Sequence, residues 1–213
     1  MKITKDNVKI LCRTRKFIDS NISDLFTKEK YYSLSKAVRQ FIIQNKIKSL
    51  PVDLIKIIHK NGWKSAKYSK SMEIITLIDP NLCVDNWGFT IEIQGKFIIF
   101  YDDLINKGSQ NFTLAHEIGH IVLKHYLQEM PATMEKEANM FAARLLMPMC
   151  VLYECIVETP EDIQNMCSVS NTAARYRFER LQIVKQRNKF YMDRTELKVK
   201  EQFDKFIKNN NKI

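Results

Sequence analysis

Residues 111–122 read Asn-Phe-Thr-Leu-Ala-His-Glu-Ile-Gly-His-Ile-Val, and the pentapeptide His116-Glu117-Ile118-Gly119-His120 at their centre governs how the rest of the chain is read. On an α-helix, residues four apart lie about 40° apart in azimuth and about 6 Å apart along the axis, so His116 and His120 can grip one metal ion from one face. Glu117 is poorly placed to be a third ligand but near enough to hold a water on that metal. Two imidazoles, an open position for water and a carboxylate to take its proton make the arrangement of a zinc hydrolase. A single buried histidine is ordinarily a hydrogen-bonded core residue. Two at this spacing with a glutamate between them point to a metal. The flanking sequence supports a helix, with Asn111 or Thr113 as the expected cap and Phe112, Ala115, Ile118, Ile121 and Val122 at helical spacing.

The third ligand is expected on a second helix, over Glu135–Pro148. With Met134 taken as zero and about 100° per residue, the apolar set Met134, Ala138, Phe141, Ala142, Leu145 and Leu146 centres near about 40°. Glu135 and Asn139 fall together on one flank of that face and Glu137 on the other. This predicts Glu135 as the ligand, Asn139 as the amide that holds a ligand histidine one turn away, and Glu137 as part of a solvated acidic helix start. Gly119, Ala138, Ala142 and Ala143 would let the two helices approach closely.

These two segments carry a resemblance. Phe-Thr-Leu-Ala before His-Glu-Ile-Gly-His, followed by Glu-x-Glu-Ala-Asn-x-Phe-Ala-Ala-x-Leu-Leu-Met-Pro, is similar to the ImmA/IrrE family of zinc metallopeptidases. The resemblance extends to Ser49-Leu50-Pro51-Val52-Asp53, Asn61-Gly62-Trp63, Gly88-Phe89-Thr90-Ile91 and the segment from Val169 to Arg177, covering roughly 45–185. It implies an α+β, zincin-like (gluzincin) fold with a small sheet, and cleavage of a helix-turn-helix repressor that controls a mobile element, a prophage or a stress response. By position it implies Zn2+ ligands His116, His120 and Glu135, with Glu117 as general base. Asn139 stands where many relatives of the wider clan have aspartate, which leaves an acceptor for an imidazole N–H but removes its charge. A peptide deformylase also carries His-Glu-x-x-His, yet the upstream cysteine motif and glycine-rich segment of that family are missing here.

Composition sets the frame. A chain of 213 residues, 45% hydrophobic and 27% charged, can bury one sizeable core plus appendages. Five cysteines at 12, 83, 150, 155 and 167 have no ribbon-like spacing, which points to a reducing, cytoplasmic setting. The start of the chain has no apolar core behind its lysines and no run approaches a membrane span. The net charge of +10 is uneven: residues 1–50 carry 12 basic and 4 acidic groups, residues 184–213 carry 9 and 4, and residues 51–183 carry 13 and 16. Lysines scattered on solvated helices account for most of this, although the basic ends could also face an acidic partner or DNA.

The expected organisation is an N-terminal helical segment over 1–50, a metallopeptidase domain over 51–183 and a basic C-terminal helix and tail over 184–213. Pro51 is expected to open a helix, His59 to lie on a helix surface, and Glu73–Ile78 to form a strand. Phe89–Ile93 and Lys96–Tyr101 are expected to pair as a hairpin across Gln94-Gly95, with one of them forming the sheet edge above the metal. His125, nine residues after His116, falls on the far side of a continuous helix. Residues 152–181 read as a helix-turn-helix-like pair bearing Arg175, Arg177 and Arg180. Packing on the peptidase is the expectation, with Val169, Ala173, Tyr176, Phe178 and Leu181 in the core, and direct DNA binding is disfavoured. Tyr176, Arg175 and Arg177 are candidate oxyanion donors between which the sequence does not choose. The competing function is a DNA-binding or repressor-binding regulator with a structural or vestigial metal site; the intact Glu117 argues for the enzyme, since a structural site needs no base.

Overall fold

A computed structural model describes residues 8–15, 27–83, 86–127, 132–187 and 190–211. The architecture is mixed α+β, and the chain divides into two compact units. The first contains β1 (Lys9–Arg15) and the elements from Leu54 to Ala142: α2 (Leu54–Lys60), β2 (Lys64–Lys67), α3 (Met72–Ile78), β3 (Asn86–Ile93), β4 (Lys96–Tyr101), α4 (Lys107–Val122) and most of α5 (Ala132–Leu146). The second contains α1 (Lys28–Gln44) and everything after Ala143: α6 (Met149–Glu154), α7 (Pro160–Cys167), α8 (Asn171–Gln186), α9 (Arg194–Gln202) and α10 (Asp204–Asn210). Among the described residues no helix is long and apolar enough to cross a membrane.

The sheet of the first unit runs β1-β3-β4-β2. The β3–β4 hairpin forms as the sequence predicts, with Ile91 opposite Ile98 and the turn at Gln94 and Gly95. Both turn residues have positive φ, 51° and 77°, the requirement of a two-residue turn whose twist matches the strands. Glu92 clamps this turn by accepting from the Gly95 N–H at 2.8 Å. Neither hairpin strand is an edge, however. β1 adds antiparallel to β3 and β2 adds parallel to β4, so the edges are β1 and β2. β1 lies inside the segment expected to be helical, and the register shifts after Ile10 and Thr14 blur the two-residue alternation that would have marked it.

Two further expectations change. Met72–Ile78 is a helix, not a strand: its β-branched residues bury only Ile75 and Ile78, one turn apart, and leave Ile74 and Leu77 exposed. Burial on a helical stripe overrides the β propensity of the run. Pro51 sits in a bend after a cis Leu50–Pro51 bond, and α2 begins only at Leu54. His59 is exposed at the end of α2 as expected.

Alternation along β3 divides its side chains between two environments. Phe89, Ile91 and Ile93 enter a core in which Phe89 stacks on Phe100 at 4.8 Å and meets Tyr68 in a tilted contact at 5.8 Å, with Ile75, Ile78 and Leu82 packed around them. Gly88 and Thr90 lie on the opposite face, against α4. A Cβ at Gly88 would stand 2.4 Å from Thr113 Cγ2 and 2.9 Å from the Phe100 carbonyl, so only glycine lets strand and helix meet here. α4 begins four residues before the earlier of its expected caps, because Asn106 Oδ1 accepts from Ser109 N. Asn111 and Thr113 are buried helix-interior residues instead. The apolar stripe predicted for α5 is buried throughout, and Gly119 lies so close to it that a Cβ would touch the Phe141 ring at 3.2 Å.

In the second unit α7 and α8 form the predicted helical pair. Thr159 and Asp162 cap α7 reciprocally, Ser168 turns the chain in a left-handed conformation, and Ser170 caps α8. Ile163, Cys167, Val169, Ala174 and Leu181 are buried, which accounts for the pair as packing. Tyr176 is not part of that core, being 70% exposed. The basic C-terminal helix is two helices separated at Phe203, whose side chain is buried. α1 and α9 are tied together: the Arg39 guanidinium donates to Asp193 at 2.7 Å, Glu196 at 3.3 Å and Thr195 at 2.7 Å, and Gln202 donates to the carbonyls of Ile42 and Ile47. Asn211, in the C-terminal tail, accepts from Ile156 N and donates to the Glu154 carbonyl.

The Gly88 contact predicts that Gly88→Ala lowers unfolding stability by about 1–3 kcal/mol, the usual effect of forcing a methyl group into packed structure. Urea denaturation of the whole chain measures it, and an unchanged midpoint would show that β3 can yield at this position.

Candidate metal centre

Helix α4 presents His116, Glu117 and His120 in a segment buried from Thr113 to Ile121, and both imidazoles and the carboxylate are 0–1% exposed. Three polar groups so deeply buried require partners. The structure supplies one for each.

His116 Nε2 and His120 Nε2 face each other at 2.9 Å, and the two carboxylate oxygens of Glu135 complete the group, Oε2 at 3.4 Å from His116 and Oε1 at 3.4 Å from His120. Donor atoms of the three residues all lie within 4.8 Å of one another, and together they could hold one metal ion. The flank argument for α5 is thus met by geometry: Glu135, not Glu137, reaches the histidine pair. Burial by itself would raise the Glu135 pKa, but hydrogen bonds to His116 and His120 outweigh it and hold the carboxyl well below its ordinary range. At His116 burial disfavours the charged ring, yet the adjacent Glu135 and Glu117 more than compensate and raise its pKa. Several electron pairs therefore converge on a point where positive charge is favoured. Glu135 is 27% exposed while the rings are closed off, so solvent reaches this point from the Glu135 side.

The far nitrogens of the two rings fix their tautomers. His116 Nδ1 lies 2.8 Å from Asn139 Oδ1, and an amide oxygen only accepts, so Nδ1–H donates to it and Nε2 is left facing the shared centre. This is the contact expected for Asn139. His120 Nδ1 has a different partner, His125 Nδ1, at 2.9 Å, and His125 Nε2 lies 2.9 Å from Glu137 Oε2. With His120 Nε2 turned to the shared centre, its Nδ1–H donates to His125, which in turn donates from Nε2–H to Glu137. The chain His120–His125–Glu137 has one consistent proton direction. Burial, reinforced by the neighbouring His120, depresses the His125 pKa well below the ordinary histidine value, which keeps that ring neutral and able to accept.

His125 is thereby brought to the centre, against the sequence expectation. A continuous helix would have carried it to the opposite face, but α4 ends at Val122, Lys124 adopts a positive φ of 58°, and a short 3-10 turn over His125–Leu127 swings the ring back. Glu137 is correspondingly not a solvated helix-start residue; its side chain is only 14% exposed. No glycine marks this helix end, so the sequence carried little signal of the reversal.

Glu117 is held by a residue that sequence reasoning did not single out. Thr90 of β3 donates its hydroxyl to Glu117 Oε2 at 2.6 Å, and both residues are fully buried. The available signal was alternation in Gly88-Phe89-Thr90-Ile91: once Phe89 and Ile91 enter the core, Thr90 must face the other way. Of the residues weighed as oxyanion donors, Arg177 is committed to the carbonyl of Met147 through Nε and Nη2, whereas Arg175 and Tyr176 are exposed.

Residues 84–186 match the family model described as the IrrE N-terminal-like domain, a peptidase family. The match contains β3, β4, α4 and α5, and with them every residue of the centre. No curated protein matches the chain.

The His120–His125–Glu137 chain predicts that His125→Ala and Glu137→Ala each weaken metal affinity about 10–100-fold, the usual cost of removing a group that orients a ligand histidine. Glu135→Ala should cost more than either. Competition with a chromophoric chelator measures all three, and wild-type affinity in His125→Ala would show that the chain does not orient His120.

Proposed function

We propose that this protein, whose residues 84–186 match the IrrE N-terminal-like domain of a peptidase family, is a zinc-dependent endopeptidase whose substrate is a helix-turn-helix transcriptional repressor. One observation carries the enzymatic reading: a fully buried carboxylate, Glu117, is fixed beside three convergent metal donors. A site that only braced the fold would gain nothing from burying a base there.

The donor set fits zinc. Two imidazole nitrogens and a carboxylate oxygen are a common set of three protein ligands in catalytic zinc sites, and tetrahedral bonds of about 2.0–2.2 Å place ligand atoms about 3.3 Å apart. The separations of 2.9, 3.4 and 3.4 Å bracket that value. When bound, zinc would polarise the scissile carbonyl and make water a stronger acid at neutral pH. The roles of the protein groups follow from their contacts. His116, His120 and Glu135 would hold the ion; Asn139 orients the His116 ring, and His125 with Glu137 orients that of His120. Glu117 takes the proton from the attacking water and delivers it to the departing amine nitrogen. The Thr90 bond to Oε2 fixes the plane of the carboxylate, so that it meets the water in one orientation.

The repressor as substrate rests on the family resemblance, and selectivity is its physical complement. A zinc peptidase acting among its host's own proteins must be restricted by docking. The basic excess lies in the segments that include α1 and α9, and the structure ties these two helices together through Arg39. Their surface is suited to an acidic partner. The described cysteines Cys83, Cys150, Cys155 and Cys167 are free thiols, in keeping with a cytoplasmic setting.

Glu117→Gln should retain one zinc per chain while cleavage falls by about 10²–10⁴-fold, because a proton acceptor is lost and all three ligands remain. Metal analysis beside a cleavage assay tests this, and loss of zinc in the variant would place Glu117 among the ligands. A second expectation concerns substrate: a folded helix-turn-helix repressor is cut once or twice while casein is spared, and cleavage falls as salt rises from about 50 to about 300 mM. Rapid, salt-independent digestion of casein would overturn the repressor assignment and leave the zinc peptidase intact.

A further inference from the structure

The sheet reaches the metal centre along cross-strand rows. The row through Thr90 and Ile99 carries the hydroxyl that holds Glu117. Two residues nearer the hairpin turn lies another row, in which Lys9 of β1 stands opposite Glu92 of β3, and Glu92 opposite Phe97 of β4. Neighbours in such a row point to one face of a sheet, so Lys9 and Phe97 share the face of Thr90. They converge on Tyr126, in the 3-10 turn that carries His125. The Lys9 ammonium donates to the Tyr126 carbonyl at 2.8 Å. The Phe97 and Tyr126 rings lie 5.2 Å apart, and Trp63 meets Phe97 edge-on at 6.3 Å.

This turn needs support from outside itself. It reverses the chain through Lys124, whose positive φ of 58° is uncommon for a residue with a side chain. The Leu127 N–H donates back to the Lys124 carbonyl at 3.1 Å, but a single 3-10 turn has poor hydrogen-bond geometry of its own. Its task is exacting. The His125 ring sits 2.9 Å from His120 through one nitrogen and 2.9 Å from Glu137 through the other, and contacts of that length tolerate little displacement of the backbone that carries them. Tyr126 is the next residue, so whatever fixes its carbonyl and its ring fixes the His125 backbone as well.

We propose that Lys9, Phe97 and Tyr126 form a clamp that positions His125, and through it the His120 ring, for the metal ion. The proposal rests on the reading of His116, His120 and Glu135 as zinc ligands. None of the three clamp residues is a ligand; they are positioning residues, acting through His125. Lys9 lies outside the residues 84–186 that match the peptidase family. An edge strand near the start of the chain thereby contributes to zinc affinity.

The test is the zinc affinity of the full chain, measured by chelator competition. Lys9→Met and Phe97→Leu are each expected to weaken zinc about 3–10-fold, less than His125→Ala because they act one step further from the ion. Lys9→Arg, which keeps a cationic donor, should recover wild-type affinity. In a His125→Ala background the same two substitutions should change affinity by less than about twofold, since the residue they act through is gone, whereas a general loosening of the fold would persist there. Lys9 is exposed, so Lys9→Met gives a folded chain even if Phe97→Leu does not. Wild-type affinity in Lys9→Met, or an undiminished loss in the His125→Ala background, beside a large loss in His120→Ala, would overturn the clamp alone. An unaltered affinity in His120→Ala would overturn the zinc centre and the clamp with it.

Discussion

Everything in the first unit follows from burying three polar side chains on one helix. His116, Glu117 and His120 have exposures of 1% or less, and a group of this kind is tolerated only if each member is satisfied. Satisfaction comes from three directions. β3 supplies the Thr90 hydroxyl for Glu117, α5 supplies Glu135 and Asn139, and the turn after α4 supplies His125, itself backed by Glu137. Each supplier must approach α4 closely, which explains the two small residues at the contacts. Gly88 admits the strand and Gly119 admits the Phe141 ring.

How much of this was legible in the sequence depends on whether the signal was local. The histidine pair declares itself by spacing, and the choice of Glu135 over Glu137 follows from which flank of an amphipathic helix each occupies. The hairpin is legible from two apolar runs separated by Gln94-Gly95. What escaped reading is set by tertiary partners. His125 could not be placed because the helix stops without glycine or proline, and Lys124 takes up the positive φ in their stead. Thr90 has no chemical label until the core claims Phe89 and Ile91 on either side of it. The edge positions went to β2 and to β1, a strand whose alternation is interrupted by register shifts.

The second unit gives a similar lesson about charge. The three arginines on α8, a segment expected to pack and not to bind DNA, have separate destinations: Arg177 turns inward to a backbone carbonyl, Arg180 reaches the rim of a cavity, and Arg175 remains on the surface. Arg39, one of the basic residues near the N-terminal end, binds the acidic start of α9. Net charge counted along a sequence therefore overstates what is available to a partner, because part of it is consumed in holding helices together.

In the proposed function His116, His120 and Glu135 share one zinc ion, with Glu117 beside it for proton transfer. X-ray absorption at the zinc edge, recorded on the purified chain loaded with one equivalent of metal, tests this without reference to any substrate. Four or five nitrogen and oxygen neighbours at about 2.0–2.2 Å are expected, with the outer-shell scattering of two imidazoles. A sulfur shell at about 2.3 Å would place the ion on cysteines instead, and a spectrum without imidazole scattering would remove the histidine pair from the metal; either result would contradict the account.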